Sequence, residues 1–130
     1  MAASATHIRT KGEHGETTTS LGCPVARTAQ LMGNKWTPLI VRDLAKGCRR
    51  FSELERSLVG ISPKTLSERL KRLEDADVLE RHCFAEVPPR VEYSLTERGF
   101  ALIPVIEQMR QFGRQWLSGD ECDVDSDDAD

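Results

Sequence analysis

The polar side chains of residues 62–75 have the types and spacing to recognise nucleic acid. Arginine and lysine can donate hydrogen bonds to guanine, and serine and threonine can hydrogen-bond to bases or phosphates. A short helix that presents such groups suits the major groove of DNA, although an ordinary solvated helix face has the same pattern. With helical spacing, the exposed side carries Lys64, Glu68 and Lys71, with Thr65 and Arg72 on its flank.

The sequence also marks the helix that must position these side chains. Ser62 followed by Pro63 is a typical helix start, because serine accepts a backbone N–H at the N-cap and proline needs no N–H at the next position. Leucines recur at helical spacing and form a narrow apolar stripe for packing, namely Leu66, Leu70 and Leu73.

Three helices are predicted before this one. The first lies between Cys23-Pro24 and the Gly33-Asn34 turn, and the second spans residues 36–44 with Pro38 in its first turn. Ser52 and Glu55 have the spacing of a capping box, which predicts the start of a short third helix.

After the leucine helix the pattern changes from helical to alternating. Two extended runs, 79–86 and 90–96, flank Val87-Pro88-Pro89 and predict a hairpin with a stiff tip. Thr96 is predicted to cap one final helix, which Pro104 should kink. The sequence therefore predicts a mainly α fold with a small β-hairpin, a winged helix-turn-helix extended by N- and C-terminal helices for dimerisation.

Charge is unevenly distributed along the 130 residues. Residues 1–20 are formally neutral and predict a flexible tail, and residues 120–130 carry seven acids and no base. The remaining stretch, 21–119, carries 16 bases against 12 acids, a formal charge of +4 that is compatible with nucleic acid. We expect one ordered domain over residues 21–118 and an acidic, disordered tail over 119–130, which could lower non-specific DNA affinity.

The four cysteines are separated by 25, 35 and 39 residues, so no pair has the spacing of zinc ligands. We therefore expect no metal, and we expect no other cofactor. Cys23 lies at a predicted helix N-terminus, which favours a thiolate, although a small buried packing residue is equally compatible. Cys48 lies in a predicted loop beside Arg49 and Arg50, whose charges could also stabilise a thiolate.

Catalysis is not expected, because the sequence has no phosphate-binding glycine loop and its three histidines are isolated. The sequence also has no hydrophobic signal core and no apolar run of membrane-spanning length. We therefore expect a cytoplasmic protein with no membrane partner.

A series of motifs across residues 21–118 resembles the HxlR family of winged helix-turn-helix transcriptional regulators. Each motif alone is weak, but their order is specific. They are Cys23-Pro24-Val25, Gly33-Asn34-Lys35-Trp36-Thr37, Leu39-Ile40-Val41-Arg42-Asp43-Leu44, Arg50-Phe51-Ser52-Glu53-Leu54, the stretch from Ile61 to Leu70, Tyr93-Ser94-Leu95-Thr96-Glu97-Arg98-Gly99 and Leu102-Ile103-Pro104-Val105-Ile106.

This resemblance implies a homodimer that binds double-stranded DNA at a near-palindromic operator. It also implies a response to oxidants or electrophiles through Cys23. Residues 63–76 would be the recognition helix, and residues 87–90 the tip of a wing that touches the DNA backbone or minor groove. The local sequence around Arg90 agrees with a DNA contact, because a lone cation at a rigid Pro-Pro tip has little to pair with locally. The expected DNA contacts are Lys35, Arg49, Arg50, Ser62, Lys64, Thr65, Ser67, Glu68, Arg69, Lys71, Arg72, Pro89 and Arg90. Some of these cations could instead balance acids such as Glu55, Glu74 and Asp75.

The last predicted helix carries more apolar residues than one small domain needs, which indicates a partner surface. The simplest partner is a second copy, and the expected dimer interface comprises Leu21, Val25, Met32, Leu102, Ile106, Met109, Phe112 and Trp116. One alternative folds this helix back onto its own domain. Another is a winged-helix module that docks a different protein through the face of residues 102–116.

Overall fold

The computed structural model describes residues 22–117 and residue 119. Its elements, in chain order, are α1 (Pro24–Met32), α2 (Trp36–Leu44), β1 (Arg49–Arg50), α3 (Phe51–Ser57), α4 (Pro63–Asp75), β2 (Leu79–Phe84), β3 (Arg90–Leu95), α5 (Glu97–Phe100) and α6 (Ile103–Trp116). The predicted mainly helical fold with a hairpin is confirmed. Leu21, the predicted N-terminal tail and the acidic stretch from residue 120 onward lie outside the described residues.

The chain divides into two compact units, with the boundary between Thr37 and Pro38. In the first unit, α1 begins after Cys23 with Pro24 in its first turn and ends at Gly33, as predicted. The side chain of Asn34 then starts α2, because its Oδ1 accepts from the N–H groups of Trp36 at 2.9 Å and Thr37 at 2.8 Å. Asn34 therefore caps the second helix immediately after the end of the first.

The core of the second unit forms around the leucine stripe of α4. Leu66, Leu70 and Leu73 are buried, as their spacing predicts. They belong to a core that also contains Ile40, Val41, Leu44, Leu54, Leu58, Val78, Leu79, Tyr93 and Leu95. Burying each of these side chains stabilises the fold by about 1.5–3 kcal/mol before entropy is counted. The core thus holds α4 by one edge and leaves its other side polar.

The sheet has three antiparallel strands in the order β1-β3-β2. The predicted hairpin is present, with Leu79 opposite Leu95 at its base and Phe84 opposite Arg90 near its tip. The sequence did not predict β1, whose Arg49 pairs with Tyr93 and whose Arg50 pairs with Glu92. Two residues are too few to show strand alternation, so only the tertiary pairing defines this strand.

The third helix begins two residues earlier than the predicted capping box requires, because its N-cap is Arg50 and not Ser52. Glu53 Oε1 accepts from the Arg50 N–H at 2.8 Å, so the first turn is closed by Glu53. The predicted pair of Ser52 and Glu55 is wrong as the cap, because Ser52 already lies inside α3.

Two helices replace the single final helix that the sequence predicted. Thr96 caps only α5, accepting from the Gly99 N–H at 3.1 Å. A new helix, α6, begins at Ile103 with Pro104 in its first turn. The predicted kink at Pro104 is wrong, because a proline in the first turn removes no intrahelical hydrogen bond.

Candidate DNA-binding surface

The N-terminus of α4 is held by hydrogen bonds between two of the residues expected at the DNA. Ser62 Oγ accepts from the Thr65 N–H at 3.1 Å, which confirms the predicted cap. The two hydroxyl oxygens are 3.0 Å apart and hydrogen-bonded. Ser62, Lys64, Ser67 and Glu68 are exposed, so this turn of the helix offers its polar groups to solvent.

Among the described residues, three of the four cations of α4 make no ion pair with an acid. Lys71 Nζ lies 3.1 Å from Asp75 Oδ1, but both side chains are well exposed and such a pair contributes little. Within the described residues Lys64, Arg69 and Arg72 make no ion pair, so the alternative in which acids balance them finds no support there. Arg69 is half-buried, and its Nε is buried without a hydrogen-bond partner.

Two further expected contacts precede α3. Arg49 is half-buried and donates from Nη1 to the Cys48 carbonyl oxygen at 3.0 Å, whereas Arg50 is exposed at the end of β1. In the first unit, the Lys35 ammonium lies 4.6 Å from the centre of the Trp36 ring, a cation–π contact that keeps its charge available.

Arg90 is surrounded by partners, so the expectation of an isolated cation at the wing tip is wrong. Its Nη2 lies 2.9 Å from Glu86 Oε2, and its Nη1 lies 3.2 Å from Glu92 Oε2. The guanidinium also covers the Phe84 ring at 4.1 Å from its centre. Only 27% of the side chain is exposed. Pro89, by contrast, is exposed.

The sequence analysis missed Phe84, Glu86 and Glu92 as part of this site. Glu86 and Arg90 are four residues apart, but they meet across the hairpin turn and not along a helix. The cross-strand pairing of Phe84 with Arg90 needs the exact register of the hairpin. The available signal was the alternation of residues 90–95, which places Arg90 and Glu92 on one face of β3.

Cys48 also contacts this cluster, with its Sγ donating to Glu92 Oε1 at 3.4 Å. Cys48 is exposed, but slight desolvation of its thiol raises its pKa, and the hydrogen bond and negative charge of Glu92 raise it further. The positive charges of Arg49 and Arg90 lower the pKa of Cys48, but their effect is smaller than the combined effect of desolvation and Glu92. Arg49 therefore favours the Cys48 thiolate as expected, but the net effect of its surroundings is to raise the pKa of Cys48.

The last helix divides the expected interface residues into two groups. Leu102 and Ile106 are buried within the chain and belong to its own core, and their contact with a partner stays a prediction. Met109, Phe112 and Trp116 are 48%, 57% and 67% exposed. Val105 extends the same stripe by one turn, at helical spacing, and is also exposed.

The first unit holds the remaining expected residues. Cys23 is a half-buried free thiol at the N-cap of α1, and its side chain makes no capping hydrogen bond. Val25 is exposed and Met32 is half-buried. These positions agree with the predicted helix.

Neither a metal centre nor a membrane span is found in the part of the chain that the structure describes. Over residues 22–117, no group of three or more His, Cys, Asp or Glu side chains is arranged to hold a metal ion. None of the helices in this part has both the length and the apolar character needed to cross a bilayer.

Comparison with known proteins agrees with this architecture. A family model described as HxlR-like helix-turn-helix matches residues 31–121. The HTH-type transcriptional regulator sll1512 of Synechocystis is 44% identical over 101 residues, covering 78% of this chain and 75% of that protein.

Two solved structures are also similar. The reduced form of the transcriptional regulator YodB from Bacillus subtilis is 40% identical, with a TM-score of 0.65 and coverage of 75% of this chain and 98% of that chain. The redox regulator HypR in its reduced form is 35% identical, with a TM-score of 0.69, and the match covers 72% of this chain and 92% of that chain. On these matches and this fold, the chain belongs to the HxlR-like helix-turn-helix family of transcriptional regulators.

Proposed function

We propose that two copies of this chain bind a near-palindromic DNA operator in the cytoplasm and repress transcription from it. The observation that carries the proposal is the polar side of α4, where the exposed cations Lys64 and Arg72 make no ion pair among the described residues. Arg69, beside the leucine stripe, is half-buried and also makes no ion pair there. Cations without acidic partners can neutralise phosphates or donate to guanine without first breaking an internal contact.

The exposed stripe of α6 supports a dimer. Met109, Phe112 and Trp116 are large apolar side chains that continue the buried face of the helix into solvent. A second copy would bury this stripe with twofold symmetry. In such a dimer the two α4 helices would enter successive major grooves about 34–36 Å apart. Leu21, Val25 and Met32 are proposed to complete the interface.

Selection of bound sequences from a random DNA pool, followed by gel shifts, tests this function. We expect two inverted half-sites one helical turn apart, and affinity that falls steeply with salt concentration. Removal of one half-site should weaken binding strongly. Binding that is indifferent to sequence would contradict the proposal. It would favour instead the module that docks another protein through the α6 stripe.

Repression is tested by transcription in vitro from a promoter that contains the selected operator. We expect transcript levels to fall as the protein is added, and a template with a scrambled operator to be unaffected. An increase in transcript from the operator template would identify an activator and contradict this part of the proposal.

We also propose that Cys23 makes DNA binding responsive to oxidants or electrophiles. The support is its free thiol at the N-terminus of α1, together with the similarity to HypR, which is described as a redox regulator. Cys23→Ser should bind the operator normally and no longer be released by diamide or a quinone. Cys48→Ser is the matched control and should respond like the unmodified chain. Release of the Cys23→Ser variant by these reagents would exclude Cys23 as the sensor.

A further inference from the structure

A cleft separates the C-terminal end of α2 from the first two turns of α6. It has a volume of about 160 Å³ and is partly open to solvent. One wall comprises Arg42 of α2 with Ala45 and Lys46, the two residues that follow this helix, and the other wall comprises residues of α6. Neither wall shares a residue with the expected DNA contacts, so DNA binding does not account for the cleft.

Part of the lining is apolar. Ala45, Ile103 and Ile106 line the cleft, where Ile106 is buried and the other two are half-buried. An apolar cavity of about 150 Å³ can hold one molecule of benzene. This cleft is therefore large enough for an apolar group of about that size.

The rest of the lining is mainly cationic, with Arg42, Lys46 and Arg110 against one acid, Glu107. The Arg42 side chain is only 11% exposed and is held by Asp43, whose Oδ1 accepts from Nε at 3.1 Å and from Nη2 at 3.0 Å. Among the described residues, Nη1 of Arg42 donates no hydrogen bond. A fixed guanidinium at the cleft thus keeps one donor group for a ligand.

The acids near these cations set the charge that a ligand should carry. Arg110 Nη1 lies 2.7 Å from Glu107 Oε2, and the Arg110 side chain is 11% exposed whereas that of Glu107 is 51% exposed. With Asp43 and Glu107 counted against the three cations, the formal charge of the cleft is +1. One carboxylate balances this charge, whereas a doubly charged phosphate would exceed it.

From these observations we infer that the cleft binds a small organic monocarboxylate. Its apolar body packs on Ala45, Ile103 and Ile106. Its carboxylate accepts from Arg42 Nη1 and pairs with the Lys46 ammonium, because charge-assisted hydrogen bonds of this kind are strong. The site lies outside the proposed DNA-binding surface, so ligand binding is measured without DNA.

Isothermal titration calorimetry of the full chain with sodium benzoate tests the site. Benzoate joins one carboxylate to a ring of the size that the cleft holds. At constant ionic strength we expect saturable binding of one benzoate per chain. Benzyl alcohol keeps the ring but lacks the charge, and should bind about tenfold more weakly or worse. Absence of saturable benzoate binding, or equal binding of benzyl alcohol, would overturn the inference.

Charge variants test the electrostatic part of the site. Glu107→Gln removes the negative charge from the lining and should tighten benzoate binding about threefold or more, whereas Lys46→Gln should weaken it by a similar factor. Misfolding does not produce a gain of affinity. Glu74→Gln removes the same charge from an exposed position on α4 and is the matched control, with affinity unchanged. Equal benzoate affinity in the Glu107→Gln, Lys46→Gln and unmodified chains would overturn the inference.

A variant that fills the cleft tests its position. Ala45→Leu adds three carbons to the lining and should abolish benzoate binding, while circular dichroism shows a folded chain. Ala29→Leu makes the same change at an exposed position on α1 and should bind benzoate like the unmodified chain. Normal benzoate binding by folded Ala45→Leu would overturn the placement of the ligand.

The cleft is also placed to act on the proposed operator binding. α2 contributes Ile40, Val41 and Leu44 to the core that holds α4, and α6 carries the exposed apolar stripe. Because the ligand contacts both helices, we expect saturating benzoate to change operator affinity about threefold or more, and operator DNA to change benzoate affinity by the same factor. Operator affinity that is equal with and without benzoate would overturn this link.

These outcomes are distinct from failure of the proposed function. If the unmodified chain binds benzoate but no DNA sequence selectively, the proposed function is wrong and the carboxylate site stands. If it binds an operator selectively but shows no saturable benzoate binding, only the carboxylate site is wrong.

Discussion

Gly99 lets α5 pack closely against the end of the α4–β2 turn. A Cβ at this position would collide with the Val78 carbonyl oxygen and would lie 2.9 Å from Leu95 Cδ2. Backbone cannot move aside as a flexible side chain can. The close approach therefore accounts for a glycine inside this short helix.

We expect Gly99→Ala to destabilise the chain by about 1–3 kcal/mol, because the added methyl overpacks a buried position. Gly113→Ala is the matched control, since a Cβ at Gly113 meets nothing within 4 Å. That control should be neutral or slightly stabilising, because alanine favours a helix more than glycine. Urea unfolding monitored by circular dichroism measures both variants. Equal stability of the two would contradict the packing argument.

Desolvation and the neighbouring Glu92 together make Cys48 a poor nucleophile near neutral pH. The raised pKa of Cys48 lowers its thiolate fraction, so alkylation by iodoacetamide at pH 7–8 should be slower than for an unperturbed cysteine. Glu92→Gln removes a charge that raises this pKa and should speed labelling at pH 8. Peptide-resolved mass spectrometry follows the rates. Slower labelling of the Glu92→Gln variant would contradict this explanation.

At the scale of elements, local signals predicted α4 well. Its N-cap, its proline and its leucine stripe act within one stretch of chain, and the structure retains all three. The hairpin was predicted for the same reason, from alternation around Val87-Pro88-Pro89. By contrast, β1 depends on pairing with a strand about 40 residues later, and no local pattern encodes that pairing.

The break between α5 and α6 shows a second limit of sequence reading. Apolar residues at helical spacing continue through Leu102, without a gap where α5 ends and α6 begins. A proline such as Pro104 is compatible either with a kink inside one helix or with the first turn of a new helix. Periodicity alone therefore does not separate one bent helix from two. The tertiary packing of Gly99 against Val78 and Leu95 accompanies the separate short helix.

The exposed apolar stripe on α6 predicts a dimer that a charged substitution within the stripe would dissociate. Phe112→Asp places a carboxylate in the centre of the exposed apolar row and should shift the chain from dimer to monomer at micromolar concentration. Gln111→Asp adds the same charge on an exposed neighbour that helical spacing places away from the stripe. It should remain dimeric. Sedimentation equilibrium distinguishes these states, and a dimeric Phe112→Asp variant would exclude this face as the interface.

At the scale of the whole molecule, the salt dependence of DNA binding should come mainly from α4. Lys64→Ala and Arg72→Ala should each reduce the slope of log affinity against log salt concentration by about 1, provided that each neutralises one phosphate. Arg114→Ala removes an exposed cation from α6, away from the proposed surface, and should leave the slope unchanged. Fluorescence anisotropy over a salt series gives these slopes. Equal slopes for all three variants would contradict the assignment of the surface.

The candidate site was only partly predictable, because sequence shows a charge but not what surrounds it. Lys64 and Arg90 look equivalent as isolated cations near exposed elements. Lys64 makes no ion pair among the described residues, whereas Arg90 is held by Glu86 and Glu92. The difference arises from cross-strand register, which brings acids from separate positions around one guanidinium.

The two-residue strand β1 has a mechanical consequence for signalling. Its pairing with Tyr93 and Glu92 anchors the hairpin at mid-length to the residues that lead directly into α3. A displacement of α3 would therefore be transmitted to the hairpin through these backbone pairs. Under the proposed operator binding, an event that shifts α3 would therefore also move the hairpin.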